Sequence, residues 1–184
     1  MKLQVIPKLI LGVALLTSPA LAAGKLSGEI DFGAFTPSGD GQFVEVNIKQ
    51  NLINMVARLA ETQEPEVAKL LRGIHAVRVN VVGLNDENRV AMRERVESVR
   101  TQLKGTDWER IVTAKEKDQD VGVFLKLRGE EAVEGVVVTV INGDKEAVFI
   151  NIVGDIKPEQ IAKLGEKLNI EPLKEIGRKL EEKH

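Results

Sequence analysis

The stretch that most constrains this chain is Val133–Leu168, VEGVVVTVINGDKEAVFINIVGDIKPEQIAKLGEKL. Two β-branched runs, Val133–Ile141 and Ala147–Val153, flank Asn142-Gly143. Asn-Gly supplies the positive φ angles of a two-residue type I′ turn, so the runs are expected to pair as an antiparallel hairpin. With that turn, Val137, Val148, Ile150 and Ile152 share one side of the ribbon. Val136, Val138, Val140 and Phe149 share the other, with Ala147 and Asn151. Gly154-Asp155 then leads into a helix opening at Pro158, with Ile161, Leu164 and Leu168 at helical spacing.

Upstream, Trp108–Glu116 and Val121–Arg128 read as two more strands around the polar turn Lys117–Asp120. Val121, Val123, Leu125 and Leu127 form an alternating apolar row, with Phe124 on the opposite side. Val44, Val46 and Ile48 alternate with Glu45 and Asn47 in a short first strand. Val77, Val79 and Val81 do the same with Arg78 and Asn80. Between these strands, Leu52, Val56 and Leu59, with Met55 beside them, suggest the inner face of one helix. Pro65 opens a second helix that Gly73 closes. Asn85 or Asp86 caps a third near residues 87–104, with Val90, Val96, Val99 and Leu103 inward. Its Arg89, Arg93, Arg95 and Arg100, interleaved with Glu94 and Glu97, read as a solvated face.

The order β-α-α-β-α-β-β-β-β-α-α predicts an α+β fold. It would be a two-layer sandwich, with a mainly antiparallel sheet of about four to six strands and helices packed mostly on one face. Only 3% of residues are aromatic, so the core must be built from Val, Ile and Leu.

Residues 1–22, MKLQVIPKLILGVALLTSPALA, read as a signal peptide. Lys2 and Lys8 give a positive start, Leu9–Leu16 an apolar centre, and Ala20-Leu21-Ala22 a small-residue cleavage site. The expected product starts at Ala23 and is exported, periplasmic or secreted, and soluble, with no stable membrane span. Residues 23–42 read as a flexible leader able to lay Phe32 and Phe35 on the domain. Residues 43–170 make one α+β domain. Residues 171–184 make a C-terminal amphipathic helical tail carrying Ile176 and Leu180.

Reaction chemistry is sparse. The formal charge is −2, falling to about −4 once Lys2 and Lys8 leave, and offers no footprint for nucleic acid. Cysteine is absent, which removes disulfides, thiol catalysis and zinc–thiolate sites. His75 and His184 lack metal-ligand spacing, and His75 reads as a surface residue at a strand start. Ser27, Ser38 and Ser98 lack a nucleophile-elbow context. Asp118 and Asp120 fail the calcium-loop pattern, with Val123 at position six and Gly129 at position twelve, so they read as a solvated turn. No catalytic residue, metal site or cofactor is expected.

The signal peptide, the four-strand meander and above all the segment Val148–Gly165, VFINIVGDIKPEQIAKLG, resemble a family of small exported bacterial proteins, domain of unknown function 4252, over about residues 28–170, by general layout outside the hairpin and closely within it. The specific part is Gly154, Asp155, Ile156, Pro158, Glu159 and Gln160; Lys157 departs from the Asp or Ser expected before Pro158. Some members are lipoproteins, and this cysteine-free chain departs from them. The resemblance implies a Gram-negative envelope location, with some members linked to envelope stress or sigma-factor signalling. It supplies no catalytic residue.

The leading functional expectation is a non-enzymatic periplasmic interaction module that binds an envelope protein or itself as a homodimer. The alternative is a small-ligand carrier or carboxylate-dependent hydrolase. Because both sides of the hairpin are apolar, part of the sheet is expected to need a cover. Phe124, Val136, Val138 and Phe149 are the candidate interaction surface.

Overall fold

The computed structural model describes residues 26–35, 42–129, 132–157, 160 and 163. The proposed signal peptide, part of the leader, most of the helix expected from Pro158 and the 171–184 tail lie outside the described residues. The elements run β1 (Phe43–Lys49), α1 (Gln50–Ala60), α2 (Pro65–Arg72), β2 (Ile74–Gly83), α3 (Arg89–Leu103), β3 (Trp108–Lys115), β4 (Gln119–Arg128), β5 (Ala132–Asn142) and β6 (Glu146–Ile156). The six strands form one sheet in the order β1-β2-β6-β5-β4-β3, and every pairing is antiparallel. The chain is α+β, as its order of elements requires.

Alternation builds both faces. Ile48, Val77, Ile152, Val136 and Leu125 are cross-strand partners along one row, and Val46, Val79, Ile150, Val138 and Val123 along the next. Together with Ile53 of α1 and Leu70 of α2 they make the first core. The opposite face carries Phe124, Val137, Ile141, Ala147 and Phe149, packed with Val96, Val99 and Leu103 of α3 and with Ile30 and Phe32 of the leader. Helices therefore lie on both faces, two on the first and α3 on the second.

The hairpin departs from its expected register. Asn142 pairs with Glu146, so Gly143, Asp144 and Lys145 form the loop, with Gly143 at φ 54°. The Lys145 N–H donates to the Asn142 carbonyl at 2.9 Å. This loop is one residue longer than a two-residue turn, and the parity of every cross-strand pair changes. Val136, Val138 and Val140 consequently share a face with Val148, Ile150 and Ile152, while Phe149 faces the other way with Val137.

The leader is anchored to the second face. The buried Asn151 amide donates to the Gly28 and Val136 carbonyls, and its Oδ1 accepts from the Ile30 N–H at 2.9 Å. Gly28, at φ 85°, crosses Gly135 so closely that a Cβ on Gly28 would fall 2.3 Å from the Glu134 carbonyl oxygen. Only glycine accommodates both that φ and that contact.

Candidate functional site

The expected surface is interior. Phe124 is 1% exposed, and Val136, Val138 and Phe149 are 0%. The four do not share a face either: the two phenylalanines lie under α3 and the leader, and the two valines in the core beside α1 and α2. Phe149 meets Phe32 at 5.6 Å and Phe35 at 5.1 Å between ring centroids. The cover expected from a partner on that side is supplied by the chain's own leader and α3.

Residues 154–157 and Gln160 are architectural. Gly154 lets the Gly73 carbonyl approach to where a Cβ would stand 2.2 Å away, and the Asp155 N–H donates to that carbonyl at 2.7 Å. The Asp155 carboxylate pairs with Arg128 at 2.6 Å, and Ile156 is buried. The Gln160 side chain accepts from the Lys157 N–H at 3.1 Å. That is the return half of a capping box, with Lys157 standing where a Ser, Thr or Asp would complete it.

The arginine-rich helix is not merely solvated. Arg100 is 7% exposed and donates two hydrogen bonds to Asp120, at 3.0 and 2.9 Å, one to Glu97 and one to the Thr139 hydroxyl. Asp120, expected in a solvated turn, lies in β4 and docks α3 against the sheet. Arg95 reaches back to the Phe32 and Ala34 carbonyls and stacks over Phe35 at 4.7 Å, clamping the leader. Val90, expected inward, is 65% exposed because it lies off the helical stripe of Met92, Val96, Val99 and Leu103 that faces the sheet. Asn85 does cap the entry: its Oδ1 accepts from Glu87 and Asn88, and Asn88 Oδ1 accepts from Asn85.

On α1 the apolar stripe faces water. Leu52 is 43% exposed, Met55 48%, Val56 44% and Leu59 73%, while Ile53 and Ala57 make the buried face. The sequence named these four side chains but turned them inward. Large residues dominate a periodicity reading, whereas the helix buries the face that carries Ile53 and small Ala57. The neighbouring β1 is an edge strand with Val44 exposed.

The second region is a cleft of about 450 Å³ at the β1–β2–β6 end of the second face, beyond the reach of α3. Asn47, Arg78 and Asn151 form one cross-strand row there, and Lys49, Ala76 and Val153 the next. His75 also lines it, lifted from the regular ladder by the bulge between Ile74 and Ala76. Glu29 of the leader closes one wall, 3.7 Å from the Arg78 guanidinium. Sequence reasoning missed this cleft, although Asn47, Arg78 and Asn151 are polar at matching positions of three strands.

Among the described residues, no group of three or more His, Cys, Asp or Glu could hold a metal ion, and no helix is long and apolar enough to cross a membrane. What these features define is a small antiparallel-sheet domain with an apolar core on each face of the sheet, which among the described residues also carries an apolar helix surface and a cationic cleft. The family model described as Domain of unknown function (DUF4252) matches residues 38–164, and the chain belongs to that family. No curated protein and no solved structure matches the chain.

Proposed function

We propose that this protein is a non-enzymatic interaction module of the Gram-negative cell envelope, and that α1 docks it onto a second copy of itself. The observation that carries the reading is the exposed stripe Leu52, Met55, Val56 and Leu59. The other exposed large apolar side chains, Leu26, Val44, Val90, Ile111 and Leu127, are scattered over separate elements, whereas these four gather at i, i+3, i+4 and i+7 on one helix, and a contiguous apolar stripe left in water marks a contact surface.

A second copy fits this stripe. A homodimer with two-fold symmetry needs a patch that complements itself. Two antiparallel copies of α1 would place Leu52 opposite Leu59 and Met55 opposite Val56. None of these four side chains is charged, and the only charged residue of α1 is Arg58. The stripe therefore favours neither an acidic nor a basic partner. Export, supported by the pattern of residues 1–22, would place the module in the envelope, and the family resemblance suggests a role near envelope stress signalling.

Multi-angle light scattering across a concentration series tests the pairing. The mature chain is expected to shift from monomer toward dimer mass as concentration rises. Met55→Lys combined with Leu59→Lys should hold it at monomer mass. A wild-type chain monomeric throughout, or a dimer unaffected by both lysines, would refute the proposal.

A further inference from the structure

Independently of α1, we infer that the cleft between the leader and β1–β2–β6 binds a small aliphatic carboxylate, with Arg78 as its principal anchor.

The cleft concentrates cationic and donor groups around a hollow. Arg78, Lys49 and His75 line it against a single acid, Glu29. The Arg78 side chain makes no hydrogen bond within the described residues, and its 3.7 Å approach to Glu29 is loose. A guanidinium carries five N–H donors in a planar fork suited to two-point binding of a carboxylate. Lys49 and His75 have no side-chain partner among the described residues. The bulge adds a second line of support. Bulges re-aim single side chains and concentrate near functional sites, and this one falls at His75, which lines the cleft.

The walls are rigid and partly apolar. Asn151 spends its amide holding the leader and β5, so it fixes the cleft's shape while Arg78 keeps its donors free. Ser27 adds a 2.6 Å hydrogen bond to Glu134 that ties the leader down further. Leu26, Ala76 and Val153 line the remainder, giving an aliphatic body somewhere to lie. The volume is within the range of ordinary small-molecule sites. Cationic donors beside aliphatic walls select a carboxylate with a hydrocarbon body over a bare inorganic anion.

Glu29 gives the proposal a directional signature. Its carboxylate already sits near Arg78 and also accepts from the Leu26 N–H at 3.3 Å. It therefore competes with an incoming carboxylate for the guanidinium, so neutralising it should strengthen binding.

The test is an NMR titration of the full mature chain with sodium octanoate, sodium acetate, octanol and inorganic phosphate. Octanoate is expected to saturate one site, shifting the amides of Ala76, Arg78 and Val153. Acetate should bind at least tenfold more weakly, and octanol and phosphate should not saturate. Arg78→Gln should weaken octanoate at least tenfold and Lys49→Gln severalfold, whereas Glu29→Gln should tighten it severalfold. Lys49 is exposed, so its variant keeps the test decisive should Arg78→Gln fail to fold. Failure of octanoate to saturate, tighter binding of phosphate than octanoate, or weaker binding in Glu29→Gln would each overturn the inference.

Discussion

Helices α1 and α3 invert what their sequences suggest. α1 is the apolar one, yet Leu52, Met55, Val56 and Leu59 face water. α3 is the charged one, yet it buries Arg100 beside Val96, Val99 and Leu103. The difference lies in what each helix meets. α1 buries only Ile53, which joins the first core, and the small Ala57, so its wider apolar stripe is left outside. α3 crosses a face where Asp120 and Thr139 stand among Phe124, Val137 and Phe149. A guanidinium reaching both is satisfied without leaving the interior. Burial follows the partner available rather than the hydrophobicity of the helix.

The contrast is broken most severely at the ion pair. Asp120→Ala leaves a buried guanidinium without its main partner and should cost about 3 kcal/mol or more, read by urea denaturation. Arg100→Met combined with Asp120→Leu should recover much of that loss, because well-packed apolar replacements offset the desolvation an ion pair requires. Almost as large is the difference between two leucines. Leu103→Ala on α3 should cost about 2–5 kcal/mol through the cavity it leaves. Leu59→Ala on α1, measured at concentrations where the chain is monomeric, should stay within about 0.5 kcal/mol. Equal costs would mean that α1 packs as tightly as α3.

A smaller effect lies after β6. Lys157 donates its N–H to Gln160 but offers no side-chain acceptor to the helical residues that follow. Its Lys163 neighbour in that segment pairs with Glu66 of α2 at 3.3 Å, which ties this turn to the α1–α2 layer. Lys157→Asp should complete the capping box and raise the denaturation midpoint, by about 1 kcal/mol of stability. A lowered midpoint would show that the lysine has a stabilising contact of its own.

Much of the fold could be read from alternation. The strands, the antiparallel succession from Trp108 to Ile156 and the Pro65 and Asn85 helix entries all carry local signals that tertiary packing does not contradict. The candidate surface failed for two nameable reasons. Asn-Gly implied a two-residue loop, and one additional loop residue moved Phe149 to the opposite face from Val136 and Val138. The leader's glycine- and serine-rich composition concealed that Gly28 and Asn151 fasten it, so that Phe32 and Phe35 cover the sheet. Arg100 could not be singled out from Arg93 or Arg95, since its burial depends on Asp120, twenty residues away, reaching the same face. The cleft depends on cross-strand neighbours from β1, β2 and β6, whose register no local pattern supplies.

The central claim is that α1's exposed stripe is a contact surface and α3's exposed side is not. Because the chain contains no cysteine, single cysteines report proximity cleanly. Met55→Cys, oxidised under mild conditions, should form a disulfide-linked dimer in high yield, since position 55 lies beside the proposed two-fold axis. Val90→Cys, equally open to solvent on α3, should remain largely monomeric. No cross-link at position 55, or equal yields at both positions, would contradict the account.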